Sequence, residues 1–162
     1  MSKKKKQNDD KPRGVRIRNR KAFHDYHILE KLECGIELQG TEVKALRAGD
    51  MKIDEAYVRI ESGELFLVGA TVGQYTHAAE GMQHDPTRKR RLLARRRQIE
   101  TLEAHVRQKG KTLVPLAIYF HKGWAKCEIG VAEGKRQYDK RQDLKKRDQQ
   151  REMKRAMRRY SR

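Results

Sequence analysis

The apolar residues of this 162-residue chain are confined to its middle, and that confinement limits what core it can build. Residues 1–18 carry eight Lys or Arg against two Asp, and residues 134–162 carry thirteen Lys or Arg against four Asp or Glu. Residues 19–133 keep nineteen basic and sixteen acidic groups, so the net charge of +18 divides into +6, +3 and +9 along the chain. Blocks of like charge repel and resist packing, which makes the two ends cationic arms on one nearly neutral domain. A domain of that length buries a single core. Nucleic acid is the commonest polyanion such arms meet.

Within the body, apolar residues fall in short alternating runs, the period of half-buried strands. Residues 23–39 read as extended, with Cys34, Ile36 and Leu38 on one side and Glu33 and Glu37 turned away from the core. Segments 56–61 and 64–69 flank Ser62-Gly63, a two-residue hairpin connection, and 70–75 extends the meander. Residues 113–120 are apolar on both faces, as a central strand is, with Pro115 the one blemish. Lys122-Gly123 turns the chain into 124–131, where Ala125, Cys127, Ile129 and Val131 face in and Trp124, Lys126 and Glu128 face out. Residues 41–49 suit more than one element. Thr41 as cap, Glu42 in the first turn, Arg47 in the last and Gly49 at the exit favour a short helix. Ile99, Leu102 and Val106 recur at helical spacing and Gly110 closes the segment, predicting a helix over about 95–109. The result is a mainly β protein, a small antiparallel barrel with two or three flanking helices rather than a doubly wound sheet.

The arms read differently. Residues 1–18 lack hydrophobic periodicity and carry Pro12 and Gly14, so they are expected to be disordered, with structure starting near Asn19. Past Gly134 the only apolar stripe is Met153, Met157 and Tyr160, with Leu144 on the opposite side of any continuous helix. That segment cannot dock by burial, so it is expected to be disordered alone and helical once a polyanion neutralises it. No run approaches the ~18 apolar residues of a membrane span, and no apolar leader opens the chain, so a cytoplasmic protein without a membrane is expected. Cys34 and Cys127, far apart in sequence and each in an alternating apolar run, read as buried reduced thiols.

Hydrolytic machinery is poorly supplied. Ser2, Ser62 and Ser161 are the only serines, placed in an arm, a turn and a tail, and no phosphate-cradling glycine loop is present. Glu42-Val43-Lys44, with Asp25 or Asp54 as a second carboxylate, resembles the acid-x-Lys triplet of metal-dependent nucleases. On a strand Glu42 and Lys44 share a face; on a helix they diverge by roughly 200°. The plainer reading is a surface acid and a surface base. His24 with His27, and His77 with His84, are the conceivable zinc ligands, but no Cys is near them in sequence, and neither metal nor cofactor is expected.

RNA binding is better supplied. Arg20, Lys21, His24 and Tyr26 mix cations with stackable rings, and residues 88–97 wrap seven cations, Arg88 and Arg91 among them, around Leu92, Leu93 and Ala94. Cations hold phosphate, while rings and exposed apolar side chains stack on splayed bases. The alternative for the arginine run is a solvated helix face.

At this point the strings resemble a family. Asn19-Arg20-Lys21-Ala22 with His24-Asp25-Tyr26, the block from Glu33 through Gly40-Thr41-Glu42-Val43-Lys44, and Leu46-Arg47-Ala48-Gly49 are similar to the opening signature of SmpB, the bacterial SsrA-binding proteins. Asp85-Pro86-Thr87-Arg88, Arg91-Leu92-Leu93 and Gly134-Lys135-Arg136-Gln137-Tyr138-Asp139-Lys140-Arg141 continue it in order. The resemblance implies an oligonucleotide-binding-fold barrel that binds the tRNA-like domain of transfer-messenger RNA, enters the A site of a stalled ribosome as a monomer, and makes or breaks no bond. It implies indirect partners through the RNA, alanyl-tRNA synthetase and elongation factor Tu. It also places RNA contacts on Glu33, Leu93 and Lys126, supported by the cluster of Arg20, Lys21, His24 and Tyr26. Gly134, Lys135, Arg136, Tyr138, Asp139, Lys140 and Arg141 match the tail motif used in the decoding centre and mRNA channel. The family often carries Ala at the position of Cys34 and His at that of Tyr138. The second departure keeps a stackable ring and removes a titratable one.

Overall fold

The computed structural model describes residues 14–75, 78, 81 and 83–160. Thirteen residues of the N-terminal arm, His77 and the last two residues of the tail lie outside that range. The chain runs β1 (Arg16–Arg18), α1 (Arg20–Asp25), β2 (Tyr26–Ile36), α2 (Gly40–Arg47), β3 (Met51–Lys52), β4 (Tyr57–Glu61), β5 (Glu64–Val68), β6 (Thr71–Val72), β7 (Arg90–Leu93), α3 (Arg96–Val106), β8 (Lys111–His121), β9 (Trp124–Gly134) and α4 (Gln137–Tyr160). Strand order β8-β4-β5-β7-β2-β9 closes because β9 pairs again with β8, so six antiparallel strands form a ring. Closure removes the unpaired edges that an open sheet would expose.

Turn chemistry sets the register. Ser62 (φ 50°) with Gly63 (φ 76°), and Lys122 (φ 49°) with Gly123 (φ 84°), both place two successive residues at positive φ, the geometry whose twist matches the strands it joins. The second hairpin aligns Cys127 with Ile118 and, across the other edge of β9, with Cys34. Both cysteines are buried and free, and the Cys34 thiol donates to the Cys127 carbonyl at 3.2 Å. Pro115 sits at a register shift in β8, where a missing N–H is tolerated. Inside the ring, Leu65, Leu67, Leu113, Ile118, Ile129 and Val131 pack with Leu46 of α2 and with Ile99 and Leu102 of α3.

Several expectations change. Residues 23–25, read as extended, belong instead to α1. Asn19 caps it, accepting from Ala22 N at 2.8 Å while its amide donates to the Ile53 carbonyl, and only Ala22 is buried within the helix. Ordered chain also starts before Asn19, since β1 pairs Ile17 with Ile118 of β8. Helix α2 is entered from Gln39, whose N–H donates to Glu42 Oε2 at 2.8 Å. Thr41 therefore lies inside the helix and its hydroxyl partners buried His84 at 2.8 Å. Segment 70–75 leaves the meander: β6 pairs with β3 in a separate two-stranded sheet.

The arginine run is neither one helix nor a uniform cationic face. Its middle is β7, whose alternation buries Arg90 and Leu92 and exposes Arg91 and Leu93, and Arg96 and Arg97 open α3. Glu42, read as a surface acid, is also fully buried. Its Oε1 accepts from Arg88 Nε at 2.9 Å and Arg90 Nε at 3.0 Å, and its Oε2 from Arg88 at 2.6 Å. Arg90 spends its remaining donors on the carbonyls of Ala70, Arg88 and Pro86. This brace ties α2 to β7 and to the carbonyls of Ala70 and Pro86. In the tail, residues rich in Lys, Arg, Gln and Glu, all good helix formers, make the 24-residue α4.

Candidate nucleic-acid interface

One cross-strand row organises the outer face of the barrel. Leu93 of β7 lies opposite Gly35 of β2, Gly35 opposite Lys126 of β9, Lys126 opposite Tyr119 of β8, and Tyr119 opposite Arg16 of β1. Side chains on such a row point the same way. Glu33 sits one pleat along from Gly35 on the same face. Its Oε2 accepts the hydroxyl of Tyr119, and its Oε1 is 3.8 Å from the Lys126 ammonium. Three residues far apart in sequence, Glu33, Leu93 and Lys126, are thus brought together.

Gly35 makes the arrangement fit. A Cβ at that position would stand 3.2 Å from the Leu93 Cβ, so the glycine opens the space across which Leu93 lies. Leu93 is left half exposed beside a groove of about 600 Å³ lined also by Phe120, Trp124 and Lys126. Trp124 is 74% exposed at its rim. A cation, an aliphatic side chain and an open indole therefore border one concavity, with the Glu33 carboxylate on the same face beside Lys126. That combination offers contacts to phosphate, to base amino groups and to base faces together.

The remaining cationic candidates lie elsewhere. Arg20 and Lys21 are exposed on α1, Lys21 paired with Glu55 at 2.5 Å. Tyr26 packs under α1 against Ala22, Val114, Leu116 and Ala132. Arg91 is exposed on the Leu93 side and pairs with Glu64 at 2.8 Å. Arg88 is not brought to the groove as a free cation, because Glu42 holds it. Burial alone pushes the Glu42 carboxyl up. The hydrogen bonds from Arg88 and the Gln39 amide, with the charges of Arg90 and Arg88, outweigh burial and hold it below the usual carboxylate range. A carboxylate so enclosed has no face for a metal ion, and Lys44 points to the Tyr75 ring, 4.9 Å from its centroid. Among the described residues no group of three or more His, Cys, Asp or Glu is placed to hold a metal.

The root of the tail is anchored at the corner between α1 and β2. The Lys135 amide donates to the Asp25 carbonyl at 2.9 Å, and its ammonium donates to the Phe23 carbonyl at 3.0 Å and to Asp143 at 2.5 Å. Lys140 reaches Asp25 Oδ1 at 2.9 Å, the same oxygen that His24 Nδ1 approaches at 2.9 Å, and His27 lies 3.6 Å from Asp139. The hydrogen bond from Lys140, then that from His24, draws the Asp25 carboxyl below its ordinary value. Docking of the tail root is thus polar. Leu144, Met153 and Met157 stay exposed along α4, as do Tyr138 and Arg141 and, just before the helix, Arg136.

Residues 16–159 match the family model described as SmpB protein. The chain belongs to the SmpB family. An SsrA-binding protein of Salinispora arenicola is 51% identical to this SmpB-family chain over 152 residues, covering 94% of this chain and 95% of its own length. One from Thermobifida fusca is 47% identical over 161 residues, covering 98% and 99%. A solved structure described as "tmRNA-SmpB: a journey to the center of the bacterial ribosome" matches at a TM-score of 0.62 and 43% identity, over 80% of this chain and 94% of that one. Reading the residues alone missed Tyr119, Gly35, Arg16 and the Glu42–Arg90 brace. Their signals are the parity of β8, which turns Tyr119 outward, and a glycine where a strand should carry a side chain.

Proposed function

We propose that this SmpB-family chain is an RNA-binding adaptor of ribosome rescue, one that binds the tRNA-like domain of transfer-messenger RNA and brings it to the A site of stalled ribosomes. The observation that carries the proposal is the shared outer face of Leu93, Lys126 and Glu33 beside an apolar groove, in a chain whose relatives are named as SsrA-binding proteins. Lys126 holds phosphate, Leu93 and Trp124 pack on exposed bases, and Glu33 accepts from base amino groups. Arg20, Lys21 and Arg91 add backbone contacts, with His24 and Tyr26 beside them. The exposed side chains of the tail from Gly134 onward, Tyr138, Arg141 and the later arginines, engage ribosomal RNA in the decoding centre and mRNA channel. Alanyl-tRNA synthetase and elongation factor Tu are met through the RNA, in the cytoplasm. No helix among the described residues is long and apolar enough to cross a membrane.

The protein makes and breaks no bond in this scheme. A Mg-dependent nuclease built on Glu42 and Lys44 has its carboxylate enclosed by two arginines, and labelled RNA incubated with the protein and Mg is expected to stay intact. Competition binding at physiological salt tests the proposal itself. A tRNA-like elbow should outcompete an arbitrary hairpin of equal length, and equal competition would reduce the protein to a general structured-RNA binder.

A further inference from the structure

We infer that Tyr119 is a positioning residue for RNA recognition, acting through Glu33; the inference rests on the RNA-facing role proposed above for that carboxylate. Tyr119 continues the row of Leu93, Gly35 and Lys126, yet it is itself buried and cannot meet a base. Its hydroxyl donates to Glu33 Oε2. The guanidinium of Arg16 covers its ring at 4.8 Å and binds Glu128 at 2.7 Å. Tyr119 is therefore fixed on both sides, and its single polar atom has one partner.

The neighbourhood explains why Glu33 needs a holder. Glu128 lies directly opposite it across the β2–β9 ladder, and like charges so placed repel. Glu128 is neutralised by Arg16 and by Lys31 at 3.3 Å. Among the described residues the one cation paired with Glu33 is the distant Lys126 at 3.8 Å, an ammonium that would otherwise draw the flexible carboxylate down onto itself. With Oε2 held by Tyr119, Oε1 is left on the Lys126 side of the same outer face. A carboxylate repels phosphate, so the chemistry it selects is an N–H edge of a base. Burial, then the bond to Glu33, pushes the phenol's pKa well up, so the proton stays with Tyr119 and the donor role persists.

Tyr119→Phe removes one oxygen and leaves the ring beneath Arg16. The expected result is a thermal unfolding midpoint lowered by a few degrees at most, the scale of one hydrogen bond, with affinity for the tRNA-like domain lowered about 3–10-fold, the scale of ordering one flexible side chain. In a Glu33→Gln background the same change should cost nothing further, because the positioned charge is gone. Glu33→Asp, whose shorter carboxylate cannot reach the phenol, should reproduce the loss without touching Tyr119. The slope of log affinity against log salt should stay constant in Tyr119→Phe, since no phosphate contact is removed. Equal costs of Tyr119→Phe in both backgrounds, or no cost while Glu33→Gln weakens binding, would overturn the positioning role alone. Unchanged affinity in Glu33→Gln would instead overturn the proposed RNA face.

Discussion

Replacing Glu42 by Ala deletes the carboxylate that Arg88 and Arg90 share, and Arg90 has no solvent to turn to, being fully buried. Three guanidinium N–H donors and the Gln39 amide lose their acceptor in one step. Removing one partner of a buried ion pair costs about 3–5 kcal/mol, chiefly because the other charge stays buried. Against a total stability of about 5–15 kcal/mol that is a severe loss. With a urea m-value of about 2 kcal/mol/M, the unfolding midpoint followed by far-UV circular dichroism should fall by about 1.5–2.5 M. Acid should mimic the mutation. The Glu42 carboxyl is held lower in the folded chain than in the unfolded one, so its contribution is complete above the unfolded value of about 4.3 and is lost as pH falls through the lower folded value. A midpoint shift under 0.5 M in Glu42→Ala, or an acid profile identical in mutant and parent, would refute the brace.

Gly35→Ala should displace Leu93 by a few tenths of an ångström, weakening affinity for the tRNA-like domain several-fold while stability changes by about 1 kcal/mol or less, as paired titration and urea unfolding would show. Asp25→Asn should release Lys140 and raise amide hydrogen exchange over 135–143 with RNA affinity unchanged; in the parent the same release should appear as pH falls through the depressed Asp25 value. Truncation after Glu133 should leave RNA affinity nearly intact and abolish tagging in a stalled-ribosome translation assay.

The barrel was legible because period-two alternation and the positive-φ turns at Ser62-Gly63 and Lys122-Gly123 are local signals, as is the Ile99 and Leu102 stripe of α3. What stayed hidden was held by distant partners. Helix α1 buries only Ala22 and is seated by Asn19 on Ile53 and Leu116, so no apolar stripe marks it. Three-residue β1 exists only against β8. Arg90 looks like any surface cation until Glu42, 48 positions away, faces it. At the interface, alternation turned Glu33 and Lys126 outward, and the family resemblance added Leu93. Tyr119 was concealed in a strand that reads as apolar throughout. The tail was judged by its want of apolar burial, and its anchoring is by Lys135 and Lys140 instead.

Strand β2 begins at Tyr26, beside the tail anchor on Asp25, and ends at Ile36, beside the groove. Eleven residues at about 3.3 Å each place those two stations roughly 30 Å apart on a single spacer pinned along one edge by β9. The molecule is in that sense a gauge block, holding the tail anchor and the proposed RNA groove at a set separation. Past the irregularity at Ile28 and Glu30 the pairing with β9 is continuous, so from Glu30 to Gly35 the gauge lengthens two residues at a time; an odd insertion there would turn Cys34 to solvent and Glu33 into the core.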